Sequence, residues 1–201
     1  MKSTLSFIIL TCFTLIAFSQ KKEQRFGDRI FLPAIDIGYI SHNSDLLTGG
    51  IIIKTSIEYR LKNNNNFFLR INYDTHDAKY NLENVNATTN IIKGKARFTD
   101  ILLGPGYRLG DEKLRYFVIF QLGSRLYNYP EAIQNQNTIS IEQSSSSVFT
   151  SRTTFGLEYY FNPKAALSID LFRSQTWKSK DFWYKKKASF GFSLGIITSL
   201  F

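Results

Sequence analysis

His42 and His76 are the only imidazoles of the chain, and both have hydroxyls or carboxylates close by in sequence: Ser41, Ser44 and Asp45 near the first, Asp74 and Asp77 near the second. A serine, an imidazole and an acid are the parts of an acyl-transfer site, in which the imidazole takes the hydroxyl proton and the acid orients the ring. Sequence alone does not bring these groups together, and polar histidines at loop edges are the commoner arrangement. Other chemistries lack their parts. Two histidines and a single cysteine, Cys12, give no metal-ligand spacing. No glycine-rich loop stands between a strand and a helix to hold a phosphate. No catalytic, metal-binding or cofactor-binding residue is therefore assigned, and no cofactor is expected. Asn86-Ala-Thr88 matches a glycosylation sequon by composition only.

Two charged sets remain. The first recurs on alternate positions along the chain: Asp36, Lys54, Glu58, Arg60, Arg70, Asp74, Asp100, Arg108, Arg115, Arg125, Arg152, Glu158 and Asp170. The second is Trp177-Lys-Ser-Lys-Asp-Phe-Trp-Tyr-Lys-Lys-Lys187, where Lys178, Lys180, Lys185, Lys186 and Lys187 less Asp181 give a local charge of +4 beside Trp177 and Trp183. Basic groups next to interfacial aromatics suit the anionic headgroups of lipopolysaccharide. Ordinary anchoring of a membrane rim is the alternative.

The elements that would position these residues show period-2 alternation. Eight segments carry it: 29–41, 50–62, 66–78, 93–109, 114–128, 148–161, 164–177 and 187–201. In the third, Phe67, Leu69, Ile71 and Tyr73 alternate with Phe68, Arg70, Asn72 and Asp74. In the second, Ile51, Ile53, Thr55, Ile57 and Tyr59 alternate with Ile52, Lys54, Ser56, Glu58 and Arg60. No segment keeps helical spacing over a useful length. Tight turns are expected at Asn63–Asn66, Gly110–Lys113 and Asn162-Pro163, and longer connections at 42–49, 81–92, 129–147 and 178–186. The Gln- and Asn-rich stretch 134–143 and the Ser144–Ser147 run read as a mobile loop. Pro105, between Gly104 and Gly106, suggests a bulge or kink.

Residues 1–19 read as a secretory signal peptide: Lys2, an apolar run of about 14 residues from Leu5 to Phe18, and small residues at Ala17 and Ser19. The run is shorter than the ~20 residues a membrane helix needs. Residues 20–201 then form one domain with no cysteine, and the net charge of +9 falls to +8 with the loss of Lys2. A basic protein outside the cytoplasm is not expected to meet nucleic acid.

Alternation does not by itself say which face is inside. Aromatics mark the apolar face at both strand ends: Phe31, Tyr59, Phe67, Tyr107, Tyr116, Tyr159 and Phe161 on the turn side, Tyr39, Tyr73, Phe149, Trp177 and Phe190 on the loop side. Two such belts match two lipid–water interfaces. The other face carries the thirteen charges together with small residues, too polar for an apolar pocket. With the signal peptide, the short–long rhythm of connections and the terminal strand ending at Phe201, the chain resembles the outer-membrane β-barrel domain superfamily, in the small eight-stranded type of the OmpA transmembrane domain and OmpX. Phe201 falls on the small-residue parity of its strand, which departs from that pattern.

The resemblance implies an all-β, eight-stranded antiparallel up-and-down transmembrane barrel in the bacterial outer membrane, with both termini periplasmic. It implies a monomer whose partners are outer-membrane lipids, lipopolysaccharide and, during biogenesis, the barrel-insertion machinery. The thirteen charges are expected to pair within a filled lumen, the alternative being an ion-conducting pore. The function expected is structural, adhesive or surface interaction through the outside loops. A lipid-A-modifying hydrolase and a soluble periplasmic lipid-binding barrel are the alternatives.

Overall fold

The computed structural model describes residues 29–44, 46–61, 64–81, 91–135, 138–177 and 188–199. Residues 1–19, expected to be a signal peptide, the basic stretch 178–187, Asn86-Ala-Thr88 and Phe201 lie outside the described residues. Eight strands follow one another: β1 (Arg29–His42), β2 (Gly50–Leu61), β3 (Asn64–Asn81), β4 (Lys93–Gly110), β5 (Leu114–Asn135), β6 (Thr138–Asn162), β7 (Ala165–Trp177) and β8 (Ala188–Ser199). Each pairs antiparallel with its sequence neighbours, and β1 pairs with β8 to close the barrel. Closure leaves no lateral sheet edge along the wall, which a spanning structure requires in hydrocarbon.

The alternation sorts into an outward apolar face and an inward polar one. Ile53, Ile57, Leu69, Ile71, Leu103, Leu122, Leu167, Ile169 and Leu194 all face outward. Tyr59, Phe67, Tyr116, Tyr159 and Phe161 lie outward at the turn end, and Tyr39, Tyr73, Phe149, Trp177 and Phe190 at the loop end. In water such an exterior would be an aggregating surface; against acyl chains it is the matched solvent. A soluble carrier needs the reverse arrangement, with an apolar lumen, so that alternative is excluded by the faces themselves.

Three expectations are corrected. Residues 129–147 are not a free loop. The β5–β6 ladder runs in one register from Leu114↔Tyr159 to Asn135↔Thr138, so the Gln/Asn/Ser-rich stretch forms a paired ribbon. Pro105 makes no bulge. It faces Leu69 on β3, while the β4–β5 pairing lapses at Gly104 and Pro105 and resumes at Gly106↔Ile119 in the same register. The missing N–H thus leaves a gap in one ladder without adding a residue. The register shifts of β1 fall instead between Pro33 and Ile35 against β8, and between Phe31 and Asp36 against β2. Finally, Asn64 already pairs with Leu61, so the β2–β3 turn is tighter than the four asparagines suggest.

In this up-and-down ring the β2–β3, β4–β5 and β6–β7 connections fall at one end of the barrel, and the β1–β2, β3–β4, β5–β6 and β7–β8 connections at the other. Single cysteines at Asn64 and Ser145 probe the two ends, because Cys12 is the chain's sole cysteine. On intact cells a membrane-impermeant thiol reagent should label Ser145→Cys and spare Asn64→Cys; the opposite result would invert the orientation.

Candidate functional site

The structure places all thirteen charges of the alternating set in the interior, each at most 4% exposed. Twelve of them separate into three groups. Nearest the turns, Glu58 receives Arg70 Nη2 at 2.6 Å and Arg108 Nη2 at 2.7 Å, and Arg60 Nε also donates to it. Arg108 Nη2 donates to Glu158 Oε1 at 2.7 Å as well, and the Tyr160 hydroxyl donates to Glu158 Oε2 at 2.7 Å. At one side, Lys54 Nζ donates to Asp170 at 2.6 Å and Ser193 Oγ at 2.9 Å, with Asp36 at 3.5 Å. Toward the loop end, Arg125 holds Asp100 bidentately at 2.6 and 2.8 Å. Arg152 bridges Asp100, at 2.6 Å, and Asp74, and its Nε donates to Ser174 Oγ at 2.9 Å. Arg115 lies at the turn end, where Nε donates to the Asp111 carbonyl at 3.2 Å and the guanidinium covers the Tyr160 ring.

Aromatic rings fill the spaces between these groups. Arg108 stacks 4.4 Å from the Phe68 ring centre, Arg70 4.8 Å from Phe117 and Arg152 4.8 Å from Phe172. Cation–π contact is strongest where water is displaced. The rings fit because small residues oppose them: a Cβ at Gly156 would lie 1.9 Å from Phe117, and one at Gly106 2.2 Å from Phe68. The aromatic partners are the part that reading for charge missed. Their signal was present, since Phe68 and Phe172 sit on the charged parity.

Apolar clusters lie beyond the charges at each end. Tyr160, Ala166 and Ile197 pack near the turns. At the loop end, Leu47, Ala78, Tyr80, Ala96, Phe98, Tyr127 and Val148 form a cap. Leu47 reaches it because the chain after β1 bridges to Tyr80, with Asn81 N donating to the Leu46 carbonyl at 3.0 Å. Burial pushes the Tyr80 phenol above its ordinary pKa. The described interior is thus occupied by side chains along its length.

His42 and His76 do meet, under this cap. Their Nε2 atoms are 3.2 Å apart, and His42 Nδ1 lies 3.0 Å from Ser189 Oγ. His76 stacks on Phe98 with ring centres 4.9 Å apart. The serine is not one that sequence proximity suggested. Ser41 faces outward, the Ser44 hydroxyl accepts from Leu46 N at 3.2 Å, Asp74 is held by Arg152, and Asp77 pairs with Arg97 on the exterior. Asp45 lies outside the described residues. The chain Ser189–His42–His76 is buried inside the barrel and ends on an imidazole, so among the described residues no Ser–His–acid set faces the lipid.

Of the basic–aromatic stretch, Trp177 is described: it is half-exposed, pairs with Phe149, and its indole N–H donates to Ser151 Oγ at 2.9 Å. Lys178, Lys180, Trp183, Lys185, Lys186 and Lys187 lie outside the described residues.

No family model matches the chain, and no curated protein matches it. Solved structures do. The crystal structure of Neisserial surface protein A has a TM-score of 0.54 at 13% identity, covering 84% of this chain and 96% of that one. The outer membrane protein OprG of Pseudomonas aeruginosa gives 0.53 at 8% identity, covering 90% and 99%. The attachment invasion locus protein Ail of Yersinia pestis, in complex with the heparin analogue sucrose octasulfate, gives 0.50 at 13% identity, covering 87% and 100%. At these identities the likeness is one of fold. With an acyl-compatible exterior and a charged interior, the chain has the eight-stranded transmembrane β-barrel fold of these outer-membrane proteins.

Proposed function

We propose that this barrel is a non-enzymatic surface-interaction protein that works through the ribbon formed by β5 and β6. The observation that carries the reading is the ribbon's height and its open side. Beyond Asn128, seven residue pairs from Tyr129↔Ser144 to Asn135↔Thr138 continue the ladder, a length of about 20 Å. β7 ends at Trp177 opposite Phe149, so among the described residues no strand flanks β6 from Thr138 to Val148. Tyr160 N–H points toward β5. In the same register, Ile139, Ile141, Gln143, Ser145 and Ser147 therefore turn their backbone groups to the open side.

That edge lacks lysine and proline, the usual guards against strand addition. Residues 129–147 contain Glu131 and Glu142 and no Lys, Arg or His. A polyanion such as the sulfated ligand of Ail is thus a poor fit to the ribbon, whereas an extended polypeptide can add a strand. The filled lumen supports the same reading, since it leaves the exterior as the working surface.

Prolines at Gln143 and Ser145 remove two open-side donors without touching the β5 ladder. Cells producing the Gln143→Pro/Ser145→Pro variant should bind immobilised extended polypeptide (reduced, carboxymethylated casein) about ten-fold more weakly than wild type. Heat-modifiability on gels should be unchanged. Equal binding by both would refute the ribbon as the interaction surface.

A further inference from the structure

The β3–β4 ladder continues past the apolar band, and its outward rows can be read upward. Tyr73 faces Ile101, Thr75 faces Thr99, Asp77 faces Arg97, Lys79 faces Lys95 and Asn81 faces Lys93. The Asp77 row is charge-matched, with Arg97 Nε donating to Asp77 Oδ1 at 2.9 Å. The next row opposes two ammonium groups.

Its backbone geometry brings them close. Lys79 N–H donates to Thr48 Oγ1 at 3.2 Å, and its carbonyl accepts from Thr48 N at 2.9 Å. Both backbone groups therefore point away from β4. Lys79 and Lys95 form a non-hydrogen-bonded pair, the kind with Cα atoms ~4.5 Å apart and side chains closest. Like charges directly opposite destabilise a ladder unless something neutralises them. Neither lysine has an acid partner among the described residues. Lys93 stands one row on, and the three lysines line a groove of about 480 Å³ with Leu46, Thr48 and Tyr80.

We infer that this row binds the phosphate of a phosphorylated outer-leaflet glycolipid, with the phosphoryl oxygens bridging Lys79 and Lys95. Position selects the source. Lys79 lies six residues above Tyr73, about 15 Å along the axis of a tilted strand. Lysine stems can lie along such a wall with the ammonium kept in the polar layer above the acyl chains, and Tyr73 and Ile101 below are exposed on the outer face. A dianionic phosphate supplies the charge that the opposed ammoniums lack. The assignment rests on the loop end facing the outer leaflet, which the cysteine labelling tests separately.

The probe is purified diphosphorylated lipid A, added at low salt to the full barrel in neutral detergent. The readout is the midpoint of the unboiled-to-boiled mobility transition. Diphosphorylated lipid A should raise the wild-type midpoint, and dephosphorylated lipid A should not. Lys79→Gln/Lys95→Gln should weaken the apparent affinity about thirty-fold, roughly five-fold for each lysine. Lys95→Glu should abolish the response while the lipid-free barrel melts no lower than wild type, because the row becomes charge-matched. Residues 178–187 stay native throughout, so any loss is read at this row. Should the double variant fail to fold, the roughly five-fold loss in Lys79→Gln alone decides. Unchanged lipid A binding by Lys95→Glu or by the double variant overturns the proposal. An equal midpoint shift from inorganic phosphate alone reassigns the site to free phosphate and overturns the lipid source.

Discussion

Replacing Glu58 with Gln should destabilise the folded barrel by about 3–5 kcal/mol, although the two side chains have nearly the same shape. Glu58 is the shared acceptor of Arg60, Arg70 and Arg108. Without its charge Glu158 remains close to the three guanidiniums, at 3.8, 3.7 and 2.7 Å, and Asp170 lies 3.9 Å from Arg70, so three cations share fewer counter-charges. Buried cations without a counter-charge keep their desolvation cost and lose the attraction that offset it. Urea unfolding in detergent or lipid measures the loss. A second substitution, Arg70→Gln, should recover part of it, because removing both partners leaves fewer unmatched groups than removing one. Added salt should not rescue Glu58→Gln, since screening acts on exposed charges. A loss under ~1 kcal/mol would mean that water reaches the lumen and hydrates the arginines.

The second large effect is expected on the opposite face. Leu103 lies mid-wall, opposite Ile71 on β3 and Leu122 on β5. Leu103→Arg should cost about 2–4 kcal/mol in a bilayer, the penalty for a guanidinium at the hydrocarbon midplane. Ile141 is more exposed still, at 72% against 48% for Leu103, yet Ile141→Arg should change stability by less than ~0.5 kcal/mol. Exposure alone predicts the same outcome for both sites; only the medium differs. Similar small costs at the two positions would argue that lipid does not cover Leu103.

The difference between those residues also explains what was legible in the chain. Within the wall, one face meets lipid and the other a crowded interior. Phe67, Leu69, Ile71 and Tyr73 therefore had to alternate with polar or space-filling partners, and strand and parity could be read directly. Above the wall, the β6 residues from Ile141 to Ser147 are exposed or part-exposed on both faces. Selection for alternation disappears there while the ladder continues, so Ser144–Ser147 looked like a loop. Pro105 misled for a related reason: its cost depends on which neighbour its nitrogen faces, and that follows from register. Pairing inside the lumen is less legible still. Arg152 reaches Asp74 and Asp100, 78 and 52 positions away, through the stagger of a closed ring that no local window contains. The meeting of His42 with Ser189, 147 positions apart, has the same origin.

Lys54 shows what closure does to assembly. Its cation, on β2, is satisfied by Asp170 and Ser193 on β7 and β8 and approached by Asp36 on β1. Neighbouring hairpins can zip one after another, but this cation finds its chief acceptor only when the first and last strands have met. A seven-stranded or misregistered sheet would leave Lys54 and Asp170 apart in a region closing to water. The seam thus couples the chain's two ends into one cooperative step, penalising incomplete rings and making the arrival of the final strand a proofreading event for the whole wall.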